Sequence, residues 1–219
     1  IDIAAKWHTI KPLQINKISP FTIGSFDIES ISQRGKEAQK NIFPDYSLKD
    51  DFITQIGITL YKFGAKECVE VMHTLVNPET HKVDSLENIE LFTYKTEKEL
   101  LLGFFEFLKK IDLDYITGYN INTFDWTYIY ERCKLLEIEN HVGSLSRLNE
   151  QPAKYIEEQL VSNAAGENKF KYIRIPGVIN SDLYTIVKRE QKLADELERK
   201  LRLKNKSLAL LKSRENSVS

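Results

Sequence analysis

The chain has 219 residues, 42% apolar, 29% charged and 11% aromatic, which suits one sizeable globular domain, or one domain plus a tail, and excludes collagen-like, mucin-like and wholly disordered classes. Its 31 Lys/Arg and 32 Asp/Glu nearly cancel, to −1, so net charge alone announces no nucleic-acid partner. Two cysteines, Cys68 and Cys133, exclude a disulfide framework, and with histidines only at 8, 73, 81 and 141 a four-ligand zinc site is not expected.

The predicted elements begin with strands. Residues 21–28 (FTIGSFDI) are largely apolar and run into acids. Residues 52–61 alternate and are rich in β-branched side chains, and 68–76 follow a turn that holds Gly64. Three such strands predict a meander, which Asn77-Pro78 ends. Thr96 with Glu99 three residues on is a capping-box pattern. Behind it Leu100, Leu101, Phe104, Phe105 and Leu108 recur at helical spacing. Residues 114–119 predict a short strand. Asn122 or Thr123 is the expected cap of a second helix, with Ile129, Cys133 and Leu136 inward. From 141 to 171 the pattern weakens. Residues 172–175 predict a strand, Pro176-Gly177 a turn, and 182 onward a long helix. Strands in a row, then helix–strand–helix, indicate an α/β fold with a mixed sheet. Such folds carry their sites at the carboxyl ends of adjacent strands.

Charge is unevenly placed. Residues 188–219 hold ten Lys/Arg against five Asp/Glu, a net of +5, which leaves −6 for the rest. No apolar stretch approaches the roughly 20 residues of a membrane span, and residues 1–12 lack the pattern of a secretory signal. The first residue is Ile rather than Met, which leaves open whether the sequence is a piece of a longer protein.

Two acidic segments carry the chemistry. Asp27 and Glu29 lie two apart on a predicted strand, so both point to one face, with Ile28 turned to the other. Adjacent carboxylates repel unless a cation sits between them, and Mg²⁺ and Mn²⁺ prefer oxygen ligands. Alone, an Asp-x-Glu is more often a strand end turning into solvent. The second segment is 117–130 (TGYNINTFDWTYIY), where Asn120 ends a strand and Asp125 sits in the first turn of a helix. The helix dipole favours an acid there without any site. Together, Asp27, Glu29 and Asp125 at the ends of two strands form a three-acid set suited to one or two cations.

These segments resemble a family. Residues 25–29 (SFDIE) and 116–125 (ITGYNINTFD) resemble the Asp-x-Glu and Asn-x-x-x-Phe-Asp motifs of the 3′–5′ exonuclease domain of family B DNA polymerases. Residues 42–58 and 175–193 resemble the link to that family's second strand and the hairpin with its following helix. The resemblance implies a ribonuclease H-like mixed sheet flanked by helices. It implies an exonuclease-like domain at 20–193, after a lead segment at 1–19 and before a charged helical tail at 194–219. It also implies two divalent ions, Mg²⁺ or Mn²⁺, and hydrolysis of the terminal nucleotide of a single-stranded DNA 3′ end. Asp27 would bridge both ions, Glu29 would hold one and contact the attacking water, and Asp125 would support the second. Asn120 would position the terminal nucleotide and Phe124 would pack on it.

The family's third motif, Tyr-x-x-x-Asp, has no match in its expected place. Tyr46 and Asp50 have the spacing but precede the second strand, and Tyr184 is followed four residues on by Lys188. A truncated exonuclease domain of a larger polymerase is the simplest account, with little activity expected of the isolated chain. The implied partners are single-stranded DNA and a polymerase domain of the same parent chain, with no membrane. The implied location is intracellular, at a nuclear or viral site of DNA replication. The competing reading is a non-catalytic nucleic-acid-binding or interaction module with the same fold. A stand-alone exoribonuclease of the superfamily is a weaker third, against which residues 175–193 argue. In the tail, Leu193, Leu197 and Leu201 form a narrow stripe on an otherwise charged helix, expected to be solvated.

Overall fold

Alternation shapes the first strand, β1 (Thr22–Ser32). It buries Gly24, Phe26 and Ile28 and turns Ser25, Asp27 and Glu29 to the open side. The computed structural model describes residues 4–12, 14–40, 42–76, 89–162, 166–193, 195–196, 199–200 and 202. After β1 come a short helix α1 (Gln33–Ala38), then β2 (Asp51–Lys62) and β3 (Val69–Leu75), which complete the expected meander. Next are β4 (Ile89–Tyr94), α2 (Glu97–Ile111), β5 (Tyr115–Gly118) and α3 (Asp125–Leu135). A ribbon of β6 (Lys154–Ser162) and β7 (Gly166–Arg174) leads to β8 (Ile179–Asp182) and a helix α4 (residues 183–193).

The main sheet runs β4-β3-β2-β1-β5-β8, and β6-β7 form a separate two-stranded sheet. Pairings β1·β2 and β2·β3 are antiparallel, whereas β1·β5, β5·β8 and β3·β4 are parallel. This is the mixed sheet that the resemblance implies. α2 forms because its apolar residues share one stripe, and it starts where Thr96 and Glu99 close a full capping box. Phe104 of α2 and Trp126 of α3 meet Phe26 of β1 with ring centroids 5.8 and 4.8 Å apart. These large side chains are wholly buried and supply much of the core's stabilisation.

Two buried polar features brace this core. Arg132 of α3 donates through Nε and Nη2 to the Glu97 carboxylate of α2, and through both Nη atoms to the carbonyls of Tyr46, Leu48 and Lys49. Glu97 also accepts from the Ile53 amide. One ion pair thus ties two helices to the link before β2. His73 of β3 is wholly buried among Phe92, Tyr94, Phe104 and Phe107, with Nδ1 2.9 Å from the Tyr94 hydroxyl. Burial pulls its pKa down to about 4.

The structure departs from the sequence reading in several places. β1 runs on to Ser32 through an irregularity between Glu29 and Ser30, so Asp27 and Glu29 lie within the strand rather than at its tip. Neither Asn122 nor Thr123 caps α3: Phe124 is the residue before it and makes no side-chain cap bond. β4, β6 and β8 were not expected, and β7 begins earlier than 172. Residue 182 ends β8, and α4 starts one residue on. Lead residues 4–12 and 14–20 hold one 3-10 turn, Trp7–Thr9, and are exposed. Most of the 194–219 tail, including Leu197 and Leu201, lies outside the described residues. Among the described residues no helix is long and apolar enough to cross a membrane.

Candidate active site

β5 is only four residues long and pairs with β1 just from Ile23 to Ser25. Beyond Ser25, the edge of β1 has lost its parallel neighbour. Gly118 is where β5 ends, and a Cβ there would lie 2.5 Å from the Phe26 carbonyl oxygen and closer still to Ile121. Only glycine allows the chain to turn this near to β1. The turn continues through Asn120, which sits in the left-handed region at φ +63°, a conformation Asn tolerates better than most side chains. α3 then opens at Asp125. Asp125 Oδ1 accepts from the Ile28 amide at 3.0 Å, taking over an edge donor of β1 that β5 does not reach.

This brings two of the three acids together. Asp125 is 1% exposed, and the Asp27 carboxyl is close enough for its charge to act on it. Burial pushes the Asp125 pKa up to about 7, the Ile28 amide opposes that, and the Asp27 charge adds to it. No Lys, Arg or His forms an ion pair with Asp27, Glu29 or Asp125 among the described residues. Glu29 is exposed on the same face as Asp27, about 7 Å further along the strand. It is not drawn into the pair: among the described residues no three His, Cys, Asp or Glu side chains are grouped closely enough to hold an ion. The donor set therefore fits part of a hard-cation site, with two carboxylates at its centre and a third at its margin.

The surroundings are open. Asp27 pairs across the ladder with Gly57, whose missing side chain leaves nothing within 4 Å on that face. A cleft of about 570 Å³ follows, lined by Asp27, Ser25, Thr59, Met72 and Tyr119 among others. Asn120 and Phe124 are half-buried. The Phe124 ring meets Phe43 edge-on at 5.4 Å and Tyr128 at 5.8 Å. Arg34, Phe43, Thr123 and Phe124 share a second cleft beside α3. Tyr119 is exposed and meets Tyr184 of α4 edge-on.

Sequence reasoning missed several residues that shape this region. Gly118 carries no chemistry, so only a close approach reveals it. Phe43 is an isolated aromatic in a link without periodicity. Asp182 read as an ordinary helix start, yet its carboxylate also accepts from the amides of Asn120 and Asn122 at 2.8 and 3.0 Å.

A mixed sheet of this order, with acids where β1 outruns its parallel neighbour, is compatible with a nuclease of the ribonuclease H-like class. The chain belongs to the exonuclease domain of family B DNA polymerases: the model of that family, described as DNA polymerase family B, exonuclease domain, matches residues 3–203. It is 36% identical over 146 residues to a DNA polymerase of Pyramimonas orientalis virus, covering 67% of this chain and 12% of that protein. It is 31% identical over 204 residues to a DNA polymerase of Acanthamoeba polyphaga mimivirus, covering 92% and 11%. It is also 31% identical over 198 residues to the DNA polymerase delta catalytic subunit of Plasmodium falciparum, covering 88% and 17%. The chain thus spans less than a fifth of the length of these relatives.

Proposed function

We propose that this chain supplies the first two acidic motifs of a proofreading site. The reaction is removal of the 3′-terminal nucleotide from single-stranded DNA, in a polymerase acting where DNA is replicated. The observation that carries the reading is the Asp27–Asp125 pair: a buried acid near a second acid, with no basic partner among the described residues. Such an arrangement is costly unless a cation joins it. Asp27, Glu29 and Asp125 would hold Mg²⁺ or Mn²⁺, two ions in the full site, which supply a water activated for attack and stabilise the leaving oxygen. The chain's own residues do the rest. The Ile28 amide orients the Asp125 carboxylate. Asn120 and Phe124 would hold the terminal nucleotide, and Phe43, edge-on to Phe124, would extend the aromatic surface.

Mn²⁺ titration tests this reading. Wild type is expected to bind at least tenfold more tightly than Asp27→Ala, and equal binding would reject the site. The isolated chain is expected to degrade a labelled single strand slowly, because no third acid joins the pair among its described residues. That same observation favours the second reading, a module that binds the strand without cutting it. Restoring hydrolysis by extending the chain into the downstream sequence of its parent would decide for the nuclease.

A further inference from the structure

Asp182 stands at the last position of β8 and is 5% exposed. Its carboxylate has no ion-pair partner among the described residues. Three backbone amides answer its charge instead. Oδ1 accepts from Asn120 at 2.8 Å and from Tyr184 at 2.9 Å, and Oδ2 accepts from Asn122 at 3.0 Å. The Tyr184 bond is an ordinary cap for α4. The other two are not needed for that purpose. They reach across 60 and 62 residues into the loop between β5 and α3.

That loop is short and carries much. Tyr119, Asn120 and Phe124 lie on it, and Asp125 follows directly. Its two ends are fixed independently, by the close approach of Gly118 to β1 and by the bond from Ile28 to Asp125. Its middle holds Asn120 in the left-handed region at φ +63°, a conformation that bonds to its backbone help to hold. The nearby Asn180 amide bonds the Ile173 carbonyl at 2.8 Å and only weakly reaches Asn122, at 3.4 Å. Asp182 is therefore the strong fastening of this segment to the β8–α4 corner.

We infer that Asp182 is a positioning residue for the nucleotide-holding loop: its carboxylate sets the backbone of Asn120 and Asn122 and so aims Asn120 beside the acid pair. The inference rests on the proposed reading that this loop receives a DNA 3′ end. Because Asp125 is held through Ile28 and α3, loosening Asp182 is expected to spare the acids and disturb only the loop.

The test splits nucleotide binding from cation binding in the 219-residue chain. A 5′-labelled single-stranded oligonucleotide, followed by anisotropy in Ca²⁺, reads the first, and Mn²⁺ titration reads the second. Asp182→Ala is expected to weaken oligonucleotide binding at least tenfold while Mn²⁺ affinity stays within threefold. Asp182→Asn, which keeps one acceptor oxygen and guards against loss of the fold, is expected to weaken it about threefold. Asn120→Ala combined with Asp182→Ala should bind no worse than the weaker single variant, since both act through one contact. In nitrogen–proton spectra the Asn120 and Asn122 amides should shift in Asp182→Ala while Ile28 stays. Wild-type binding by both Asp182 variants would overturn the inference. So would parallel loss of oligonucleotide and Mn²⁺ binding, or full additivity with Asn120→Ala, each of which marks a merely structural role. Failure of wild type itself to bind the oligonucleotide would overturn the underlying reading as well, and the wild-type control tells that case apart.

Discussion

Glu97 and Asp125 are both buried acids, and each accepts a backbone amide from a neighbouring strand, Ile53 for Glu97 and Ile28 for Asp125. They differ in what faces the remaining charge. Glu97 meets the Arg132 guanidinium at 2.7 Å, and three carbonyls use up more of that guanidinium's donors. Asp125 instead feels the charge of another carboxyl, that of Asp27. A buried acid with a matched base braces the fold, whereas a buried acid beside a second acid is a demand for something from outside. His73 shows a third way to bury a titratable group: it stays neutral among aromatic rings.

Breaking the matched pair should have the largest effect. Arg132→Met leaves Glu97 charged and buried and three carbonyls without their donor, at a cost of about 3–5 kcal/mol in denaturant unfolding. A loss below about 1 kcal/mol would mean that the pair is better solvated than its burial implies.

Relieving the unmatched pair should act in the opposite direction. Asp125 titrates near 7 in the fold and near 4 in an unfolded chain. Between those values the folded state holds the extra proton, so the stability of the cation-free chain falls as pH rises from about 4 to about 7 and stays low above. Asp125→Asn removes this penalty. It should stabilise the cation-free chain on the order of 2 kcal/mol at pH 8 and hardly at all at pH 4. Thermal unfolding across that range in a chelating buffer checks it, and a pH-independent difference would contradict it.

His73 has the reverse slope. It titrates near 4 in the fold and near 6.5 unfolded, so the unfolded chain takes the proton first. Stability is lost as pH drops from about 6.5 to about 4. His73→Gln should flatten that slope by on the order of 1 kcal/mol, and an unchanged slope would locate the acid sensitivity elsewhere. Thr96→Ala, which removes half of the capping box at the start of α2, should cost about 1 kcal/mol at any pH.

What the sequence revealed follows where its signals were strong. β1 to β3 alternate against a covered face, and α2 has both a stripe and a capping box, so these were legible. β6 was not. None of its residues from 154 to 159 is buried, so no apolar side marks its period, and its ribbon leans on ion pairs such as Lys171 with Glu157. β8 is too short for any period to show. At the candidate site the acids were legible because chemistry restricts which residues fit. The margin position of Glu29 and the second task of Asp182 were not. They depend on where β5 stops, which Gly118 sets through a contact with β1 that no local pattern encodes.

Asp125 shares its helix with Trp126, Ile129 and Cys133, all completely buried. A helix turns about 100° per residue, so one residue inserted between Asp125 and Trp126 would leave the apolar anchor seated and swing the acid about a quarter-turn away from Asp27. The phase of α3 is thus a component of the site in its own right, and a chain with every acid intact could lose the site through a single misplaced codon.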